Sequence, residues 1–99
     1  MINVYRYTSD GEGIFSIGKR LLPAELVDEA NDKRTWLPKP TLPKGEYAFF
    51  LTENGRAQYL ATLFAVHQKY LKHIACEELE VDEDEAVYQD EWQVVVRKY

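Results

Sequence analysis

The chain reads as an α+β domain: a small three- or four-stranded, mostly antiparallel sheet with one long helix and one short helix packed on one face. Three observations predict it. Segments with the two-residue alternation of strands lie at both ends, INVYRYT and WQVVVRKY. Residues 56–75 run without Pro or Gly and hold good helix formers throughout, as a long helix would. Strand-like and helix-like segments alternate between these, so neither an all-α nor an all-β fold fits. The 99 residues suffice for one core, so residues 1–99 are expected to form a single domain. With 45% apolar and 13% aromatic residues, the chain is too hydrophobic for a disordered segment.

Taken in order, residues 2–8 are β-branched and aromatic and place Ile2, Val4 and Arg6 on one face and Asn3, Tyr5 and Tyr7 on the other. The SDGEG stretch that follows is a loop by composition. Residues 14–20 supply Ile14, Phe15 and Ile17 as apolar anchors without declaring helix or strand. Pro23 suits a first helical turn, and Glu25, Asp28 and Glu29 lie where the helix dipole favours acids, which predicts a short helix over 23–32. Its apolar stripe would be Leu22, Leu26, Val27 and Ala30. WLPKPTLPK holds three of the four prolines and reads as an extended connector pinned by Trp36 and Leu42. YAFFL at 47–51 reads as a buried strand, and Thr52 or Asn54 would cap the long helix. That helix would bury Leu60, Leu63, Phe64, His67, Leu71, Ile74 and Ala75. ELEVD alternates like a strand with one wet face, in competition with an acidic helical continuation. Residues 92–99 form a strand near the middle of the sheet.

Charge is distributed in blocks. Residues 1–76 carry ten Lys and Arg against eight Asp and Glu, whereas residues 77–91 carry nine acids and no base. Such crowding costs stability unless the carboxylates are solvated or meet cations. Direct nucleic-acid binding is disfavoured, because neutralising phosphates requires clustered Lys and Arg. The single Cys76 excludes an intrachain disulfide and a multi-cysteine zinc site. No apolar run approaches the roughly 20 residues of a bilayer span, and the N-terminus lacks a basic-then-apolar leader. A reducing cytoplasm is the expected compartment, without membrane contact.

Motifs of catalysis are sparse. There is no G-x-S-x-G, dinucleotide or phosphate-loop pattern. His73 and Cys76 have metal-ligand spacing on the expected helix but no third partner. The run 82–85 lacks the Gly and Glu of a calcium loop, so neither metal nor other cofactor is expected. Among seven tyrosines, Tyr88 and Tyr99 stand beside the acids and would offer contact area to a partner.

The first strand VYRYTS with Arg6, the strand-to-helix piece FFLTENGRAQYL and the Gln89-Asp90-Glu91 run leading into WQVVVR together resemble a miniature ADP-ribosyltransferase. The resemblance implies an NAD cofactor and roles for Arg6, Thr52, Gln89 and Glu91. Glu91 would stabilise the charge developing on the ribose as nicotinamide leaves. The chain departs from that family at Leu51-Thr52-Glu53, where a Ser-Thr-Ser element is usual.

The favoured expectation is a non-catalytic binding protein. Glu80, Asp82, Glu83, Asp84, Glu85, Asp90 and Glu91, with Tyr88 and Trp92, would present a carboxylate-rich surface to a basic protein such as a nucleic-acid enzyme. Immunity proteins and phage-encoded inhibitors work in this way. A structural or assembly subunit would instead show an apolar patch that includes Tyr5 and Tyr7.

Overall fold

The computed structural model describes residues 1–98, so Tyr99 lies outside the described residues. The fold is α+β, as expected, but the described residues form six strands, all antiparallel, and four short helices. Strand β1 (Ile2–Ser9) turns through Asp10 and Gly11, at φ 50° and 81°, into β2 (Glu12–Gly13). The expected loop is therefore a two-residue hairpin, and Asp-Gly is the pair that tolerates two left-handed residues. Helix α1 (Ile14–Arg20) buries Ile14, Ile17 and Gly18.

A 3-10 turn (Ala24–Leu26) leads into α2 (Val27–Lys33), so the helix expected over 23–32 begins as a tighter turn. The proline connector is pinned at Trp36, one of its two expected anchors, while Leu42 is half-buried and does not join the core cluster. The Trp36 indole donates to the Lys33 carbonyl at 2.8 Å and to the Thr62 hydroxyl at 3.0 Å. Strand β3 (Tyr47–Leu51) buries Leu51, while Phe49 is 51% exposed, so this strand is not buried throughout.

The long helix is a correction. It is two helices, α3 (Glu53–Ala61) and α4 (Leu63–Gln68), broken at Thr62, which has φ −128° and ψ −86°. The Thr62 hydroxyl donates to the Gln58 carbonyl at 2.6 Å and accepts from Trp36. Back-bonding of this kind bends helices, and here it joins the break to the connector. Of the expected buried stripe, Leu63, His67 and Leu71 are buried, whereas Leu60 is 41% exposed.

The segment expected to end the helix has left it. His73 sits in a left-handed conformation at φ 53°, and Ile74 opens β4 (Ile74–Val81). ELEVD is thus the end of a longer strand that pairs with β1 along its whole length, from Ser9 with Ile74 to Ile2 with Val81. A 3-10 turn (Glu83–Glu85), β5 (Ala86–Gln89) and β6 (Gln93–Arg97) complete the chain, with Trp92 in the turn ahead of β6.

Tyr5 pairs with Glu78 of β4 on one side and Leu51 of β3 on the other, which gives the strand order β4-β1-β3-β6-β5, with β2 beside the far end of β1. Four spacings of about 4.8 Å would set β4 and β5 about 19 Å apart in a flat sheet. Val81 and Ala86 are separated by four residues, and five chain steps reach at most about 18 Å. The sheet must therefore curl, bringing its two edges toward each other where the acidic turn links them. The helices pack on the sheet through Tyr5, Tyr7, Ile14, Tyr59, Leu63 and Val66.

Candidate functional site

The acidic block occupies β4, the 3-10 turn, β5 and the turn into β6. Seven of its nine acids are exposed: Glu77, Glu78, Glu80, Glu83, Asp84, Glu85 and Glu91. Asp82 is half-buried and accepts a hydrogen bond from the Asp84 N–H at 3.0 Å, capping the 3-10 turn. None of the nine pairs with a cation among the described residues, whose ion pairs are Arg20 with Glu12, Lys69 with Glu29, and His73 with Asp10. On β4, Glu78 and Glu80 share the face of Tyr5, and Glu77 takes the other face, opposite Arg6. The Tyr5 hydroxyl reaches Glu78 at 3.5 Å, and the Arg56 guanidinium stacks over the Tyr5 ring at 4.7 Å. Arg56 also donates to the Tyr7 hydroxyl at 3.3 Å.

Asp90 belongs to a different category. Its carboxylate accepts from the Tyr88 hydroxyl at 2.6 Å and from the N–H groups of Trp92 and Gln93 at 2.7 and 2.9 Å. Burial pushes its pKa upward, but the hydrogen bonds outweigh burial and hold it below the ordinary carboxylate value. The same contact with Asp90 pushes the Tyr88 phenol up. Asp90 therefore builds the turn and does not reach outward. Trp92 is half-buried, its ring 5.7 Å from that of Trp36 in an edge-on arrangement. Tyr88, on β5, is also half-buried, so two of the expected contact aromatics are partly committed to the fold.

Thr52, Gln89 and Glu91 line one open hollow of about 450 Å3, together with Ile2, Asn3, Glu53 and Asn54. Arg6 does not line it. Its guanidinium lies near Gly13 on β2, and its strand position puts it on the sheet face opposite Tyr5. The Thr52 hydroxyl donates to the Glu91 carbonyl at 2.6 Å and accepts the Gly55 N–H at 3.0 Å, so it serves as the cap of α3. No known protein family, curated protein or solved structure matches the chain. Its chemistry must therefore be read from these residues alone.

His73 and Cys76, expected three apart on a helix, stand on a left-handed turn and on β4 instead. His73 pairs with Asp10. No cluster of three His, Cys, Asp or Glu arranged for a metal occurs among the described residues. No helix among the described residues is long and apolar enough to cross a membrane. Tyr5 and Tyr7 are 8% and 7% exposed, so they form core and not an assembly patch.

The sequence reading missed His67, which it placed only on a buried stripe. The ring is 5% exposed, and its Nδ1 lies 2.7 Å from the hydroxyl of the fully buried Tyr59. Burial, and then the charge of Arg34, lowers its pKa to about 4. Burial chiefly raises that of Tyr59, so both groups stay neutral near pH 7. The only signal in the sequence was Tyr59 and His67 standing eight apart, and that spacing brings them together only because the helix breaks at Thr62.

Proposed function

We propose that the protein binds a basic protein surface through the carboxylates of residues 77–91, without catalysing a reaction. One observation carries this reading: seven acids are exposed and the block has no cation partner among the described residues. A stable fold gains nothing from unpaired like charges, whereas a partner surface of opposite sign gains both attraction and steering. The linkage of the two outer strands supports it further, because the turn between β4 and β5 presents Glu83, Asp84 and Glu85, three exposed acids in a row. The contact set is Glu77, Glu78, Glu80, Glu83, Asp84, Glu85 and Glu91, with Asp82 and Asp90 holding the backbone that presents them. A groove that accepts phosphates, such as that of a nucleic-acid enzyme, has the complementary charge.

The test uses a partner captured from the native cell and the variant with Asp82, Glu83, Asp84 and Glu85 all changed to amides. The side-chain amide at position 82 keeps an oxygen for the N–H of residue 84, so the turn survives. Association of the parent should slow steeply between about 0.01 and 0.15 M salt, as the screening length falls from about 30 to about 8 Å. The amide variant should associate more slowly, with a shallower salt dependence. Equal rates for the two proteins across that range would move the interface elsewhere.

A second reading, an NAD-binding relative of the ADP-ribosyltransferases, draws support from the shared hollow of Thr52, Gln89 and Glu91. It expects heat of NAD binding in calorimetry, and Glu91→Gln should abolish nicotinamide release. No heat at millimolar NAD removes it.

A further inference from the structure

Residues on and beside α1, α2 and α4 line a half-open cavity of about 200 Å3 whose lining contains no acid. We propose that this cavity binds a small organic monocarboxylate with an aromatic or branched apolar body. Phe15, Leu22 and Leu63 supply apolar wall, while Lys19 and Arg34 supply positive charge. Neither cation has an ion-pair partner among the described residues.

The polar group at the floor is His67. The hydroxyl of Tyr59 is fully buried, and its one hydrogen-bond neighbour is Nδ1 of His67. A buried O–H needs an acceptor, so hydrogen-bond count assigns Tyr59 as donor and leaves the imidazole proton on Nε2. Nε2 itself has no hydrogen-bond partner among the described residues, yet none of their side-chain nitrogens or oxygens is both fully buried and unpaired. It therefore opens on the cavity that His67 lines. Gly18 keeps it accessible, since a Cβ there would lie 2.9 Å from Nε2.

An N–H donor on a histidine only 5% exposed and a guanidinium lining the same cavity match one carboxylate. The apolar walls match the body of the ligand, and a phosphate, which has no apolar part, would leave them unfilled. A cavity of about 150 Å3 already takes a benzene ring, so about 200 Å3 admits a ring with its carboxylate. This site is independent of the acidic face.

Long-range 1H–15N NMR of the imidazole rings in the full chain, titrated with sodium benzoate, benzamide and inorganic phosphate, tests the proposal. The free protein should show His67 neutral with its proton on Nε2. Benzoate should shift the Nε2 resonance saturably. Benzamide, isosteric but uncharged, and phosphate, charged but without an apolar body, should bind at least about tenfold more weakly. Arg34→Gln removes an exposed cation and should weaken benzoate binding by about tenfold while the spectrum stays that of a folded chain. Gly18→Ala should block the Nε2 shift. A proton on Nδ1, an unmoved His67 at saturating benzoate, an equal response to benzamide or phosphate, or undiminished binding by Arg34→Gln would each overturn it.

Discussion

Gly55→Ala should destabilise the protein by about 2 to 4 kcal/mol, although Ala is intrinsically the better helix former by about 1 kcal/mol. Gly55 lies in the first turn of α3, directly against the backbone of the turn before β6. A Cβ at that position would stand 1.9 Å from the Trp92 carbonyl oxygen, 2.9 Å from its carbon and 3.2 Å from the Cα. Ordinary contact begins at 3.4 Å, so the carbonyl would have to retreat by about 1.5 Å. It cannot move alone. The Trp92 oxygen accepts the Thr52 N–H at 3.0 Å, and the Thr52 hydroxyl donates to the Glu91 carbonyl at 2.6 Å. The Trp92 N–H is held by Asp90 at 2.7 Å. Overpacking costs about 1 to 3 kcal/mol, and each of the two Thr52 hydrogen bonds that yields adds about 1 kcal/mol. Subtracting the helix-propensity gain leaves the stated range. Urea melts followed by circular dichroism measure it, with an unchanged slope showing that two-state unfolding persists. A variant within about 0.5 kcal/mol of the parent, or more stable than it, would refute the claim that α3 and the Glu91-Trp92 turn meet backbone to backbone.

Two further outcomes follow from the buried helices. Because the folded pKa of His67 is lowered to about 4 from 6.5, the unfolded chain takes up its proton first as the solution is acidified. Its contribution is therefore fully present above pH 6.5 and is lost as pH falls toward about 4, by at most about 3 kcal/mol. His67→Gln, which keeps an acceptor for Tyr59, should flatten the pH dependence in that window, and denaturant melts across it would show a persistent slope if another group were responsible. Leu63→Ala should cost about 2 to 5 kcal/mol, because the side chain is 3% exposed within the main core cluster. A loss below about 0.5 kcal/mol would show that α4 does not anchor the core.

The strands at the ends of the chain were legible because alternation survives in any context that buries one face. So were the exposure of most of the acids and a cap at Thr52 or Asn54 for the following helix, a role that Thr52 takes. The break at Thr62 was not, since its cause is a hydroxyl bonded to Gln58 and to an indole 26 residues away, and no periodicity records that. Ile74, Ala75 and Cys76 follow a run of good helix formers, yet they pair with Ser9, Thr8 and Tyr7. The open side of β1 overrode local preference, as sheet context commonly does. Asp90 was grouped with the outward-facing acids because charge counting does not distinguish a solvated carboxylate from one that ties a turn. The hydrogen-bonding habits of Asp two residues before a backbone N–H were the available sign.

Strand β4 forms an outer edge of the sheet, and no strand covers its far side among the described residues. An eight-residue open edge is a template on which another copy of the same chain could add a strand and propagate a stack. Here Glu77, Glu78 and Glu80 project from both faces of that edge, so a second β4 brought alongside would meet like charge whichever way it ran. Colloidal stability is thus written into the same residues that present the acidic surface. Any reagent or pH that neutralises them removes the barrier to self-association together with the attraction for a basic partner, and a substitution chosen to weaken the one should be checked for having released the other.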